Sequence, residues 1–87
     1  MNVATKGDID QAVKVINRVL VRHNAGWHIT VEYAYGQPRV HKYVDGDDGR
    51  LDLSPRLPKP QLLEWLYAFH AGIYTGIGLM PKEDNNG

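Results

Sequence analysis

Trp27-His28-Ile29-Thr30-Val31-Glu32-Tyr33-Ala34-Tyr35 alternates residue by residue, and Arg39-Val40-His41-Lys42-Tyr43-Val44 follows it across Gly36-Gln37-Pro38. Trp27, Ile29, Val31, Tyr33 and Tyr35 share one side of the first run, and His28, Thr30, Glu32 and Ala34 share the other. A period of two marks a strand with one covered face, and the aromatic and β-branched content suits a pleated surface. The second run predicts a strand over Arg39 to Val44. A four-residue loop between them sets Tyr35 opposite Val40 and Val31 opposite Val44, which keeps the apolar positions on one face. A slip of one residue would divide them. Asp45-Gly46-Asp47-Asp48-Gly49 then turns the chain into a short third strand, Arg50 to Ser54, with Leu51 and Leu53 pointing inward.

An apolar sheet face needs a cover, and a helix flanks the strands on each side in sequence. From Asp8 to His23 the apolar residues Ile9, Ala12, Val13, Ile16, Val19 and Leu20 recur at helical spacing, with Gln11, Lys14, Asn17, Arg18 and Arg22 on the other side. Thr5 or Asp8 caps the start, and Asn24 and Gly26 are stop residues. His23 falls at the helix end, where the dipole favours a cation. After the third strand, Pro55, Pro58 and Pro60 enforce an extended crossing, because each disfavours helix in the residue before it. Pro60 fits the first turn of a second helix that runs to Thr75 or Ile77. The expected fold is therefore α+β, of order αβββα, a three-stranded antiparallel sheet with both helices packed on one face. It forms a single domain over residues 1–80, followed by a disordered tail over 81–87.

The second helix carries more apolar surface than covering one sheet face requires. Leu62, Leu66, Phe69, Ile73 and Ile77 form one stripe, Trp65, Ala68, Gly72 and Gly76 widen it on one flank, and Leu63, Tyr67, His70 and Tyr74 on the other. Each glycine costs about 1 kcal/mol against alanine in a helix, so close approach by another backbone is expected. Either the first helix makes that approach or a second copy or partner does. The segment Leu62 to Met80 is long enough to span a bilayer, but it places His70 near the centre and has no flanking basic cluster. A soluble domain is the expectation.

Ten basic and ten acidic residues cancel in 87. General nucleic-acid binders draw most of their affinity from neutralising phosphates, so a neutral chain argues against that class and leaves charge recognition to a local patch. There is no cysteine, which excludes disulfides, thiolate catalysis and cysteine-ligated zinc. With no apolar leader in the first residues, the expected location is the cytoplasm.

Four histidines, His23, His28, His41 and His70, show neither H-x-x-x-H nor H-E-x-x-H spacing. The acidic turn fails the calcium-loop pattern, with glycine fifth and Arg56 twelfth. No phosphate loop, dinucleotide fingerprint or nucleophile elbow occurs. The sheet side away from the helices displays His28, Thr30, Glu32, Ala34, His41, Tyr43, Arg50 and Asp52, and Glu32 faces Tyr43 in the expected register. A bare three-stranded face offers no water-excluding pocket for acid–base catalysis. The expectation is a protein without enzymatic activity, metal or cofactor.

Two resemblances bear on the partner. The element order is that of the double-stranded RNA-binding domain, whose second helix starts with a phosphate-clamping lysine cluster; the matching stretch here, Pro58-Lys59-Pro60-Gln61, holds one lysine. Tyr33-Ala34-Tyr35-Gly36-Gln37-Pro38-Arg39-Val40, Leu53-Ser54-Pro55-Arg56-Leu57 and Leu62-Leu63-Glu64-Trp65-Leu66-Tyr67-Ala68-Phe69 with Gly72 resemble small accessory proteins encoded by phages and prophages. Some proteins of that size and helix–sheet–helix build are anti-CRISPR inhibitors. The resemblance implies a binder of a host protein in the host cytoplasm. Arginine and aromatic residues dominate binding hot spots, so the expected contact residues are Tyr35, Arg39, His41, Tyr43, Arg56, Trp65 and Tyr74. The alternatives are a nucleic-acid module using Arg39, Lys42, Arg50, Arg56 and Lys59, and a structural homodimer formed through the second helix.

Overall fold

Thr5 starts the first helix, α1 (Lys6–Arg22), with a reciprocal capping box. Its Oγ1 accepts the Asp8 N–H at 3.1 Å, and Asp8 Oδ2 accepts the Thr5 N–H at 3.0 Å. The pair satisfies backbone donors that the helix itself leaves open. Because Thr5 rather than Asp8 is the cap, α1 begins two residues before the expected start. His23 closes it, donating its N–H to Val19 O at 3.1 Å, and Asn24 takes a positive φ of 54°. The computed structural model describes residues 4–33 and 36–79, with α2 side chains described through residue 75.

The strands β1 (Trp27–Glu32), β2 (Arg39–Val44) and β3 (Arg50–Asp52) form an antiparallel sheet in that order. Trp27 pairs with Val44, Ile29 with Lys42, Val31 with Val40 and Glu32 with Arg39. This corrects the expected pairing of Tyr35 with Val40 and Val31 with Val44. The connection is longer than four residues because Tyr33 leaves the ladder for α1. Its hydroxyl donates to Asp10 Oδ1 at 3.0 Å, and Lys6 Nζ lies 5.1 Å from the ring centroid. The displacement is an even number of residues, so every side chain keeps its expected face.

α2 (Lys59–Leu79) follows the proline-rich crossing. Ile9, Ile16 and Leu20 of α1, Ile29 and Val40 of the sheet, and Leu62 and Leu66 of α2 form one core, none more than 3% exposed. Both helices therefore cover the sheet side that carries Ile29 and Val40. Phe69 meets Trp27 edge-on at 6.4 Å and stacks on Trp65 at 5.0 Å. Leu51 was expected inward; it shares the core side but stays exposed, because α1 lies over β1 and β3 is at the far edge. Gly72 is exposed, and a methyl group there would touch nothing within 4 Å. The close approach by α1 considered for that position is not made. Among the described residues no helix is long and apolar enough to cross a membrane.

β1 is an edge strand, and edge strands present unpaired backbone groups that invite aggregation. Asn17 reaches from α1 to cover part of this edge. Its Nδ2 donates to Ile29 O at 2.9 Å, and its Oδ1 accepts the Ile29 N–H at 2.8 Å. One amide thus substitutes for a fourth strand at that residue and fixes α1 across β1. Asn17→Leu strands both groups of Ile29, and the expected loss is about 1–3 kcal/mol of unfolding free energy. Urea denaturation checks this; a loss below about 0.5 kcal/mol, the scale of an ordinary surface change, would contradict it.

Candidate functional site

On the sheet side opposite the helices, the register brings together residues that are distant in sequence. Asp52 of β3 is directly across from His41 of β2, and Glu32 lies one diagonal step away at the end of β1. His41 is only 2% exposed although no helix covers it. Its neighbours on the same face bury it. His41 Nε2 lies 2.8 Å from Glu32 Oε1 in a directed hydrogen bond. Nδ1 lies 2.8 Å from Asp52 Oδ1 but off the line a ring N–H would take, so that contact is close without being a formed hydrogen bond.

Two arginines complete the cluster. Arg39 Nη1 donates to Asp52 Oδ2 at 2.9 Å. Arg56, from the crossing, donates through Nη1 to Gln37 O at 3.0 Å and through Nη2 to Glu32 Oε1 at 3.3 Å. The crossing is itself anchored to the hairpin, since Leu57 N–H donates to Pro38 O at 3.1 Å and Val40 N–H to Ser54 Oγ at 3.0 Å. Charge-assisted hydrogen bonds of this kind are stronger than neutral ones, and here they tie all three strands to the segment that leads into α2. Beside the cluster, Tyr43 stacks on its cross-strand partner His28 at 5.6 Å, and Arg50 donates to Tyr43.

No protein-family profile, curated protein or solved structure matches the chain.

Of the seven residues expected to make contacts, Arg39, His41 and Arg56 converge in this cluster and Tyr43 flanks it. Tyr35 lies outside the described residues. Trp65 and Tyr74 are on α2, across the sheet: Trp65 is half-buried against Phe69, and Tyr74 is 67% exposed. Lys42 of the alternative basic set also faces the helices, with Nζ 4.3 Å from the Trp27 ring centroid. Five cations do not therefore share one surface. The expected list lacked Glu32 and Asp52, the two acids that hold the others in place. A carboxylate directly across a strand pair from histidine was the available signal, and it needed the true register to be read.

The electrostatics follow from these contacts. The hydrogen bond from His41 holds the Glu32 carboxyl below its ordinary range, with Arg56 and Arg50 adding to the effect against a desolvation cost. The hydrogen bond to Tyr43, with Glu32 and Asp52 nearby, raises Arg50. Burial first, then the bond to Asp10, pushes the Tyr33 hydroxyl up to about 12. Among the described residues no group of three or more histidine and acidic side chains is placed to hold a metal ion. His41 Nε2 is taken by Glu32 and Nδ1 is buried, so neither ring nitrogen faces a position a substrate could occupy.

These shifts fix the sign of the pH dependence. Glu32 titrates lower in the folded state, so its contribution is present above its ordinary value of 4.5 and is lost as pH falls below it. Tyr33 titrates higher when folded, so its contribution is present below 10 and is lost as pH rises towards about 12. Melting temperature followed across pH should fall at both ends. Glu32→Gln should flatten the acid limb and leave the alkaline limb, and Tyr33→Phe the reverse; an acid limb unchanged by Glu32→Gln would contradict the assignment.

Proposed function

We propose that this chain is a non-enzymatic binding domain whose recognition surface is the open face of the sheet. The observation that carries the reading is the convergence of Arg39, His41 and Arg56 with Glu32 and Asp52, each held by partners before any ligand arrives. Ordering long side chains on binding costs about 0.5–1.5 kcal/mol for each one immobilised. Arginines already locked in place avoid much of that cost, and Arg39 and Tyr43 remain half-buried with surface to offer. His41 acts as the shared hub of the platform, with no ring nitrogen left for proton transfer to a substrate.

The face carries both signs of charge, so it suits a polar protein surface that offers carboxylates and carbonyls to the arginines and donors to the two acids. A run of phosphates meets Glu32 and Asp52 as repulsive neighbours. The partner class comes from the sequence alone: the runs that resemble phage accessory proteins lead us to a host protein, with inhibition of a CRISPR or other defence complex as the sharper form. The homodimer reading attaches to α2, on the other side of the molecule.

The test is affinity capture from bacterial lysate with the full chain and with Tyr43→Ala/Arg50→Ala, which leaves the His41 contacts intact. A partner that binds the open face should be retained by the parent and lost from the double variant, with affinity down at least about tenfold, the scale of one hot-spot residue. Retention unaffected by the double variant, or duplex binding at low salt that collapses as salt rises, would overturn the reading.

A further inference from the structure

The side of α2 that faces neither the core nor the sheet carries a second, unrelated feature. Between α1 and α2 lies a hollow of about 210 Å³, lined by Ala12, Val15, Ile16, Leu66, Tyr67 and His70, with Asp8 and Gln11 of α1 also in its wall. It is smaller than the roughly 300–1,000 Å³ of sites for small-molecule ligands. Its size suits one aromatic side chain. One heptad along the same helix stands such a side chain: Tyr74, 67% exposed, with its ring 6.0 Å from that of His70. Tyr67, at the edge of the hollow, is 59% exposed. Tyr67, His70 and Tyr74 are spaced three and four apart, the seam of a helix that pairs with another helix.

We propose that two copies of this chain associate through antiparallel α2 helices, each inserting Tyr74 into the hollow between α1 and α2 of the other. A two-fold contact requires one surface to carry both the protruding group and its receptacle, and this surface does. A two-fold axis passing between residues 70 and 71 sets Tyr74 of each copy opposite Tyr67 of the other, beside the hollow. From Trp65 to Thr75 the helix has no lysine, arginine, aspartate or glutamate, so the two α2 helices meet without opposing like charges. An acidic partner helix would meet Asp8 in the wall of the hollow, whereas a second copy brings an uncharged stretch of helix. This association is independent of the open sheet face, which points away from it.

Ala71 falls beside the proposed axis, and Gly72 lies on the far side of the helix from Tyr67 and Tyr74; both are exposed. The chain has no cysteine, so a single introduced thiol reports on one place. Sedimentation equilibrium of the full chain should show a concentration-dependent dimer. Tyr74→Glu should weaken it at least about tenfold, the scale of removing one aromatic anchor, with the melting temperature of the fold retained. Under mild oxidation Ala71→Cys should give a disulfide-linked dimer and Gly72→Cys, where a side chain meets nothing within 4 Å, should not. A monomer throughout, a dimer that Tyr74→Glu leaves intact, or equal cross-linking through positions 71 and 72 would each overturn the proposal.

Discussion

With both helices on one side of a three-stranded sheet, the central strand must bury its other side without a second layer. β2 meets this constraint through His41. A histidine at the middle of a central strand has neighbours on both flanks, and here each flank supplies an acid, Glu32 from β1 and Asp52 from β3. The acids in turn carry arginines. A wholly buried ion pair is costly, because two charges leave water for one attraction. In this case only the imidazole is buried; Glu32 and Asp52 keep 33% and 52% of their side-chain exposure and with it much of their hydration. The open face is thus wet at its rim and closed at its centre.

The same constraint governs how much could be read in advance. Element order, both helices and the assignment of each strand residue to a face all follow from periodicity, which is a local property; the cap is open between Thr5 and Asp8 in the sequence, and the reciprocal bonds of the two decide it for Thr5. Register is not local. The alternation of Tyr33 and Tyr35 continues the strand pattern, yet Tyr33 is recruited by Asp10 and Lys6 of α1, a tertiary contact that no window of sequence contains. Because the resulting displacement is even, faces survived while partners changed: Glu32 lost Tyr43 as its expected neighbour and gained Arg39. The burial of His41 was illegible for the same reason, since it depends on which acids stand across the ladder. Leu51 shows the complementary limit, where alternation gives its side but not whether a helix extends over it.

Charge and apolar surface are also segregated in a way that composition hides. The neutral total conceals an open face where arginines and acids interlock and a long helix almost free of formal charge. These lie on opposite sides of the sheet and make different demands on a partner. The polar face offers directional, prepaired groups suited to selecting one protein surface; the helix offers aromatic area whose gain on burial is largely non-directional. Keeping them apart lets one surface change its occupancy without disturbing the other, and the tie between the crossing and the hairpin through Arg56 and Leu57 holds both to one frame.

The claim beneath these readings is that His41 and Glu32 act as a unit that organises the open face. A double-mutant cycle on urea stability, with His41→Ala, Glu32→Ala and the pair, measures that coupling directly. The account predicts a non-additivity well beyond the roughly 0.3–0.5 kcal/mol seen for independent sites, with the pair costing less than the sum of the single changes. Additive effects within that band would mean that the two side chains only happen to be neighbours, and the preorganised platform would have no foundation.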